Sequence, residues 1–303
     1  MCTAISFRSR FFGRNLDVTS PLGEGVISMP RNYTLSFKRI PEVREHYAII
    51  GIGALIDGVP LLYDGANEAG LYVCALNFIS NAVYHNENSD FINLCHYEMI
   101  PYILSKCKSV KEARGVLRKI NITADAFKKR IPPSELHWFI ADEKEAITVE
   151  PMLDGLVIYD NPYGVLTNNP PFPFHLQNVN YHLHIGATNP KNTISPQHNI
   201  KPTSYGLSGV GLPGDFSSHS RFVRAVFVKS NQMSKTLTDA FHILGSVMQY
   251  RGCVEADGGF QYTHYTSVYD REEHKYYYKT YEDFALREQK IKLTGTEMEF
   301  HSL

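Results

Sequence analysis

The sequence predicts an α+β fold, a four-layer αββα sandwich of two antiparallel sheets with a helix pair outside each, and three observations agree on it. Strand-like segments come in runs at both ends and in the middle of the chain, two helical pairs separate the runs, and the βαβ alternation of a parallel sheet is absent. Each sheet would then cover one face with its partner and the other with helices. No internal repeat, low-complexity tract or linker interrupts the 303 residues, so residues 1–303 are expected to form one domain.

Thr3, Ile5 and Phe7 alternate with Ala4, Ser6 and Arg8, the period of a half-buried strand. Residues 11–17 follow within one hairpin length and would pair with it. Segments 25–29, 33–38 and 47–55 are strand-like, with Pro30-Arg31-Asn32 as a turn between the first two. Residues 59–63 and 71–77 complete the first run, joined through Asp64-Gly65-Ala66-Asn67 read as a turn. Helical period begins in 93–106, where Pro101 is expected to kink or divide the segment. Ser109 and Glu112 make a capping box ahead of Val110, Ala113, Val116 and Leu117.

After Pro132-Pro133 the strands return at 136–141, 146–150 and 156–159, and 164–167 is extended into the polar turn Asn168-Asn169-Pro170. Residues 172–200 show little periodicity. His182 and His184 would share a strand face there, but they lack a third ligand, and no metal is expected. The second helical pair comprises 220–229, with Phe222, Val226 and Phe227, and the stripe Leu237, Ala240, Phe241, Leu244, Val247 and Met248 behind Ser234. Residues 261–269 and 274–281 form a hairpin rich in Tyr and Thr, and 285–290 add a short strand.

Composition removes several classes of function. Lys plus Arg (30) nearly cancel Asp plus Glu (31), so no basic field attracts nucleic acid or anionic lipid. No stretch approaches the roughly 20 apolar residues of a membrane span, and the alternating start with Arg8 and Arg10 forms no signal-peptide core. The five cysteines are odd in number and without CxxC spacing, which argues against a disulfide scaffold or zinc site and for reduced thiols in the cytoplasm. The expected partner is a small molecule or another copy of the chain.

Cys2 is the residue that suggests chemistry. Removal of Met1 would leave it with a thiol and a free α-amino group, whose ordinary pKa values are roughly 8.5 and about 7.7–8.0. One residue would then hold both nucleophile and base, and a nearby cation would favour the reactive thiolate. Pairing of the first two strands carries Arg14 back towards Cys2, and Asp17 is placed to hold the α-ammonium. Read singly, the alternatives stay open: an inert terminal cysteine, a structural Arg14–Asp17 ion pair, Asn168 as a turn former, and Arg221 as a helix residue paired with Asp215.

Five motifs then act together. Met-Cys-Thr at 1–3, Phe-Gly-Arg-Asn-Leu-Asp at 12–17, Leu-Asn-Phe at 76–78, Gly-Val-Leu-Thr-Asn-Asn-Pro at 164–170, and Gly-Leu-Pro-Gly-Asp at 211–215 followed by Ser-Arg-Phe at 220–222 resemble the choloylglycine hydrolase family. This family groups bile salt hydrolases and penicillin V acylases among the N-terminal nucleophile (Ntn) hydrolases. The resemblance implies the Ntn-hydrolase sandwich, no cofactor, a homotetramer, and hydrolysis of a conjugated bile salt by the cysteine that Met removal exposes. Carried over by position, it makes Cys2 the nucleophile, Arg14 and Asp17 the charged residues beside it, Asn77 and Asn168 the polar residues at the reacting centre, and Arg221 the completing cation. Asn168 is preferred to Asn169 because relatives often carry Ser at the second position. Leu-Asn-Phe resembles the bile salt hydrolases more than the penicillin V acylases, with penicillin V or an acyl-homoserine lactone as the alternative substrate, whereas residues 18–23 match no common version of that segment. Loops 78–84 and 129–133 are expected to line an apolar pocket for the steroid.

Overall fold

The alternation at the start of the chain becomes a hairpin of β1 (Cys2–Phe7) and β2 (Phe11–Val18), in register from Cys2↔Leu16 to Phe7↔Phe11. Its tight turn puts Arg8 and Ser9 at positive φ. The computed structural model describes residues 1–129, 131–256 and 258–303. It continues through β3 (Glu24–Met29), β4 (Ile49–Ile56), β5 (Val59–Asn67), β6 (Tyr72–Asn77) and β7 (Ile92–Cys95) to helices α1 (Met99–Lys106) and α2 (Val110–Leu117). Then come β8 (Ile120–Thr123), β9 (Leu136–Ala141), β10 (Ala146–Met152), β11 (Gly155–Asp160) and β12 (Val165–Leu166). Helices α3 (Phe172–Asn180), α4 (Ser218–Asn231) and α5 (Leu237–Gly245) follow, and β13 (Val254–Ala256), β14 (Gly259–Asp270), β15 (Lys275–Thr280), β16 (Arg287–Lys290) and β17 (Glu299–Ser302) close the chain.

One sheet has the order β12-β1-β2-β14-β15-β16, with β13 beside β14; the other runs β11-β10-β9-β6-β5-β4-β3-β17. All pairings within both are antiparallel. Helices α4 and α5 lie over β1, β2 and β14, while α1 lies over β5 and β6. Rings from the two sheets meet in the middle layer, where Phe12 stacks on Tyr72 at 5.8 Å. Because both faces are covered, β2 is buried along nearly its whole length, including its polar residues Arg14, Asn15 and Asp17.

Several local expectations are corrected. Residues 33–38 form no strand: Leu35 and Val43 make a single bridge, in a segment bounded by Pro30 and Pro41 that cannot extend a ladder. Asp64-Gly65-Ala66-Asn67 is not a turn but the end of β5. The reversal comes after it, built by Asn67 Oδ1 accepting from Ala69 N and Leu71 N, with Gly70 at φ +92°. Segment 93–106 divides into β7, a short 3-10 turn and α1. Pro101 sits in the first turn of α1, where its missing N–H breaks no bond. In 172–200 the sequence reading missed α3, although Phe172, His175, Leu176 and Val179 have helical spacing. His182 and His184 sit in a turn rather than on a strand. The cap of α5 is Thr236 with Asp239, not Ser234, and Val247 and Met248 lie beyond its end. β8, β13 and β17 were also missed.

Candidate active site

Strand parity divides the surroundings of Cys2. Ala4 pairs with Arg14 and Cys2 with Leu16, so Cys2, Arg14 and Leu16 face the middle layer. Thr3, Asn15 and Asp17 face the helices. The sulfur therefore meets one set of partners and the backbone nitrogen and carbonyl another.

On the inner side, Arg14 Nη2 donates to Cys2 Sγ at 2.7 Å. Arg14 Nη1 donates to the carbonyls of Tyr63 at 2.9 Å and Ala75 at 3.0 Å, which fixes the guanidinium against the second sheet. Burial works against this cation, yet its surroundings, Cys2 first, outweigh it and hold the Arg14 pKa well above its usual value.

On the outer side, Cys2 N donates to Asn168 Oδ1 at 2.7 Å, and Arg221 Nη2 donates to the same oxygen at 2.8 Å. Arg221 Nη1 donates to Cys2 O at 2.7 Å and Thr3 Oγ1 at 2.6 Å. Burial lowers the Arg221 pKa, but a guanidinium stays protonated. Its pairing is not with Asp215, which accepts from Ser217 N and Ser220 Oγ instead. Asp17 Oδ1 accepts from Thr263 Oγ1 at 2.7 Å, while the buried Asp17 Oδ2 has no hydrogen bond and lies 3.9 Å from Arg221 Nη1. Met1 precedes this centre, its ammonium donating to Asp17 O at 2.8 Å and Gln261 Oε1 at 2.5 Å. Burial lowers the pKa of that amine.

Asn168 is clamped from every side. Its N–H donates to Ser218 Oγ at 2.8 Å, and His175 Nε2 lies 2.8 Å from its carbonyl. Burial takes the His175 pKa down to about 4, so the ring is neutral and Nε2 donates. Asn168 Nδ2 donates one of its two N–H groups to Asn77 O at 2.8 Å. Ser218, Thr263, Gln261 and His175 were not expected from the sequence, because none of them carries a motif of its own.

Cys2 and Arg14 line a cavity of about 180 Å³ that opens to solvent. Leu16, Asn77, Ile100, Phe127, Ile131 and Leu136 are among its walls. Of the expected lining, 129–133 contributes Ile131, residue 130 lies outside the described residues, and 78–84 contributes nothing. Phe78 is instead buried against His137, ring to ring at 4.5 Å. Val18, Ser20 and Leu22, from the segment that fitted no common pattern, line the cavity instead.

All five cysteines are free. No helix among the described residues is long and apolar enough to cross a membrane, and no group of three or more metal-ligating side chains occurs among them.

Comparison with known proteins agrees with this arrangement. Residues 2–303 match the model of linear amide C–N hydrolases, choloylglycine hydrolase family. A bile salt hydrolase/transferase of Lactiplantibacillus plantarum is 43% identical over 291 residues, covering 93% of this chain and 90% of that protein. The C2A mutant of the conjugated bile acid hydrolase from Clostridium perfringens superposes with a TM-score of 0.93 at 31% identity, covering 100% of this chain and 97% of the other. A penicillin V acylase from Agrobacterium tumefaciens shares the fold, with a TM-score of 0.71 at 22% identity over 93% of this chain and 83% of that one.

Proposed function

The chain belongs to the choloylglycine hydrolase family of linear amide C–N hydrolases, and from that premise we propose that it hydrolyses glycine- or taurine-conjugated bile salts with Cys2 as nucleophile once Met1 is removed. The observation that carries this reading is the 2.7 Å contact of Arg14 Nη2 with Cys2 Sγ in the lining of a largely apolar cavity. The rigid steroid fills the apolar walls, and its amide carbonyl reaches the sulfur.

In the proposed mechanism the Cys2 thiol passes its proton to its own α-amino group and the sulfur bonds to the amide carbon. Arg14 stabilises the sulfur's negative charge as it develops. The carbonyl π electrons move to oxygen, and the Asn77 side-chain amide donates to that oxyanion. One such donor is worth roughly 3–4 kcal/mol at the transition state. As the C=O bond re-forms, the C–N bond breaks and the α-ammonium protonates the departing glycine or taurine nitrogen. Water, deprotonated by the same amine, attacks the thioester; the C–S bond breaks, releasing the bile acid and restoring Cys2. An amine in place of that water would give the transfer reaction in the relative's name.

Asn168 is assigned to positioning. Its Oδ1 already accepts from Cys2 N and would hold the amine with its lone pair directed at the sulfur's proton. Arg221 anchors the Cys2 carbonyl and Asn168 together. Asp17 Oδ2, buried without a donor, suits the additional N–H that an α-ammonium brings.

Amine release from glycocholate, taurocholate and penicillin V tests the substrate. Release from the bile salts is expected, with Cys2→Ser folded but nearly inactive, because a hydroxyl is far harder to deprotonate. Preference for penicillin V would overturn the substrate, and activity of Cys2→Ser the nucleophile. The reading also includes a cytoplasmic homotetramer, supported by the exposed apolar side chains Tyr181, Leu183, Ile194, Tyr205 and Val210, which cluster in one segment. Sedimentation should give four chains per particle, and a monomer with full activity would remove that part.

A further inference from the structure

Behind Arg14 the structure holds a fully buried carboxylate that the mechanism above does not use. Asp64, on β5, pairs across the ladder with Cys74 on β6. The carbonyls that grip Arg14 Nη1 belong to Tyr63, the residue before Asp64, and Ala75, the residue after Cys74. Four hydroxyls converge on Asp64 from three strands: Tyr265 on Oδ1 at 3.0 Å, and Tyr276 at 2.9 Å, Tyr72 at 3.4 Å and Ser267 at 3.5 Å on Oδ2. Ser267 is itself the register partner of Arg14. A carboxyl group that accepts from several hydroxyls is organised as an anion.

We propose that Asp64 is a positioning residue for the amide hydrolysis, a buried counter-charge that shares the Arg14 cation with the Cys2 sulfur. The inference rests on the reading of Cys2 as nucleophile. Its physical content is a balance. A thiolate beside an unopposed buried guanidinium would form readily but be a weak nucleophile, because nucleophilicity falls as thiol pKa falls. A carboxylate behind the guanidinium takes part of its field and keeps the sulfur basic enough to attack.

The groups facing this cluster leave the negative charge to Asp64. Burial pushes the Tyr72, Tyr265 and Tyr276 hydroxyls and the Cys74 thiol upward, so all four stay neutral. Burial also raises the Asp64 pKa, opposed by Arg14 and then by the tyrosine hydroxyls. Around the sulfur, the charged groups are Arg14, Asp17, Arg221 and the terminal amine. Asp64→Asn alters none of these directly and leaves the carbonyl grip on Arg14 in place.

The test is the pH dependence of Cys2 alkylation in the processed full-length enzyme, read by iodoacetamide labelling of the N-terminal peptide in mass spectrometry. In Asp64→Asn the field of Arg14 is unopposed, so the thiol midpoint moves down by about one pH unit, the low end of the shift a nearby charge produces. The alkaline plateau rate falls about threefold. An unmoved or raised midpoint in folded Asp64→Asn overturns the inference, since a purely structural role would not shift a sulfur titration downward.

If Asp64→Asn does not fold, the Tyr265→Phe/Tyr276→Phe double variant removes the two closest donors while keeping the rings. Losing these donors takes away two hydrogen bonds that oppose the burial-driven rise of the Asp64 pKa, so the carboxyl loses charge and the midpoint again moves down; an unmoved midpoint overturns the inference here too. The two readings fail separately. Amine release by Cys2→Ala would remove the nucleophile assignment whatever the titration shows. An inactive Cys2→Ala with an unmoved Asp64→Asn midpoint would remove the Asp64 role alone.

Discussion

Burying Asn168 would be unfavourable if its amide were left unpaired, since each orphaned polar group costs about 1–3 kcal/mol. Here every polar atom of the residue is engaged: Oδ1 by Cys2 N and Arg221, Nδ2 by Asn77 O, the backbone by Ser218 and His175. Asn77 differs, because it lines the cavity and its backbone carbonyl, not its side chain, holds Asn168. The two asparagines should therefore fail differently. Asn77→Ala is expected to lower kcat about 10²–10³-fold, the range for a lost oxyanion donor, while Cys2 alkylation keeps its wild-type pH profile. Asn168→Ala is expected to change that profile as well, since Cys2 N and Arg221 lose their shared acceptor. Parallel kcat measurements and alkylation curves check this; identical behaviour of the two variants would merge the roles assigned to them.

Hairpin β1–β2 was legible in the sequence because alternation, a short turn and two strand-forming runs all agree there, and it places Cys2 and Arg14 with no further information. Elements that depend on distant partners were not legible. β17 exists because β3 offers an edge, and residues 33–38, though strand-like in composition, find no edge to join. The partners of Asn168 and Asp17 were hidden for the same reason: Ser218 and Thr263 become site residues only when α4 and β14 pack beside β1 and β2. How tightly β14 packs is visible at Gly13, where an added Cβ would stand 2.3 Å from Ser267 O and 3.0 Å from Val268 Cγ2. Gly13→Ala must push β2 from β14 one residue away from Arg14. The expected loss is about 1–3 kcal/mol, the range for overpacking a core, with activity falling further than stability. Gly115→Ala in α2 meets nothing within 4 Å and should instead gain up to about 1 kcal/mol from helix propensity. Denaturant melts of the pair decide it, and a Gly13→Ala chain as stable as the parent would contradict the packing described.

At the scale of the whole molecule, the layered burial that builds the site also ties its stability to pH. Burial carries the pKa values of His96, on the cavity wall, and His175, behind Asn168, down to about 4 each, against about 6.5 in an unfolded chain. Between those limits the unfolded state binds about two more protons than the folded one, so stability rises with pH through the window. The contribution is complete above about pH 6.5 and lost as pH falls towards about 4, at roughly 3 kcal/mol for each histidine. Carboxylates held low, such as Asp215 at about 2, titrate below this range, whereas Asp64, whose pKa burial raises, contributes a slope of the opposite sign. Unfolding midpoints should thus fall steeply from neutral to mildly acidic solution, and His96→Gln should remove about half of the slope. A midpoint flat across that interval would mean that the two imidazoles take up protons without unfolding. The carbonyl contact from His175 would not by itself oppose this, since a protonated ring still donates through Nε2. Desolvation is what forbids the charge, and the layers that create it also hold Asn168 against Cys2.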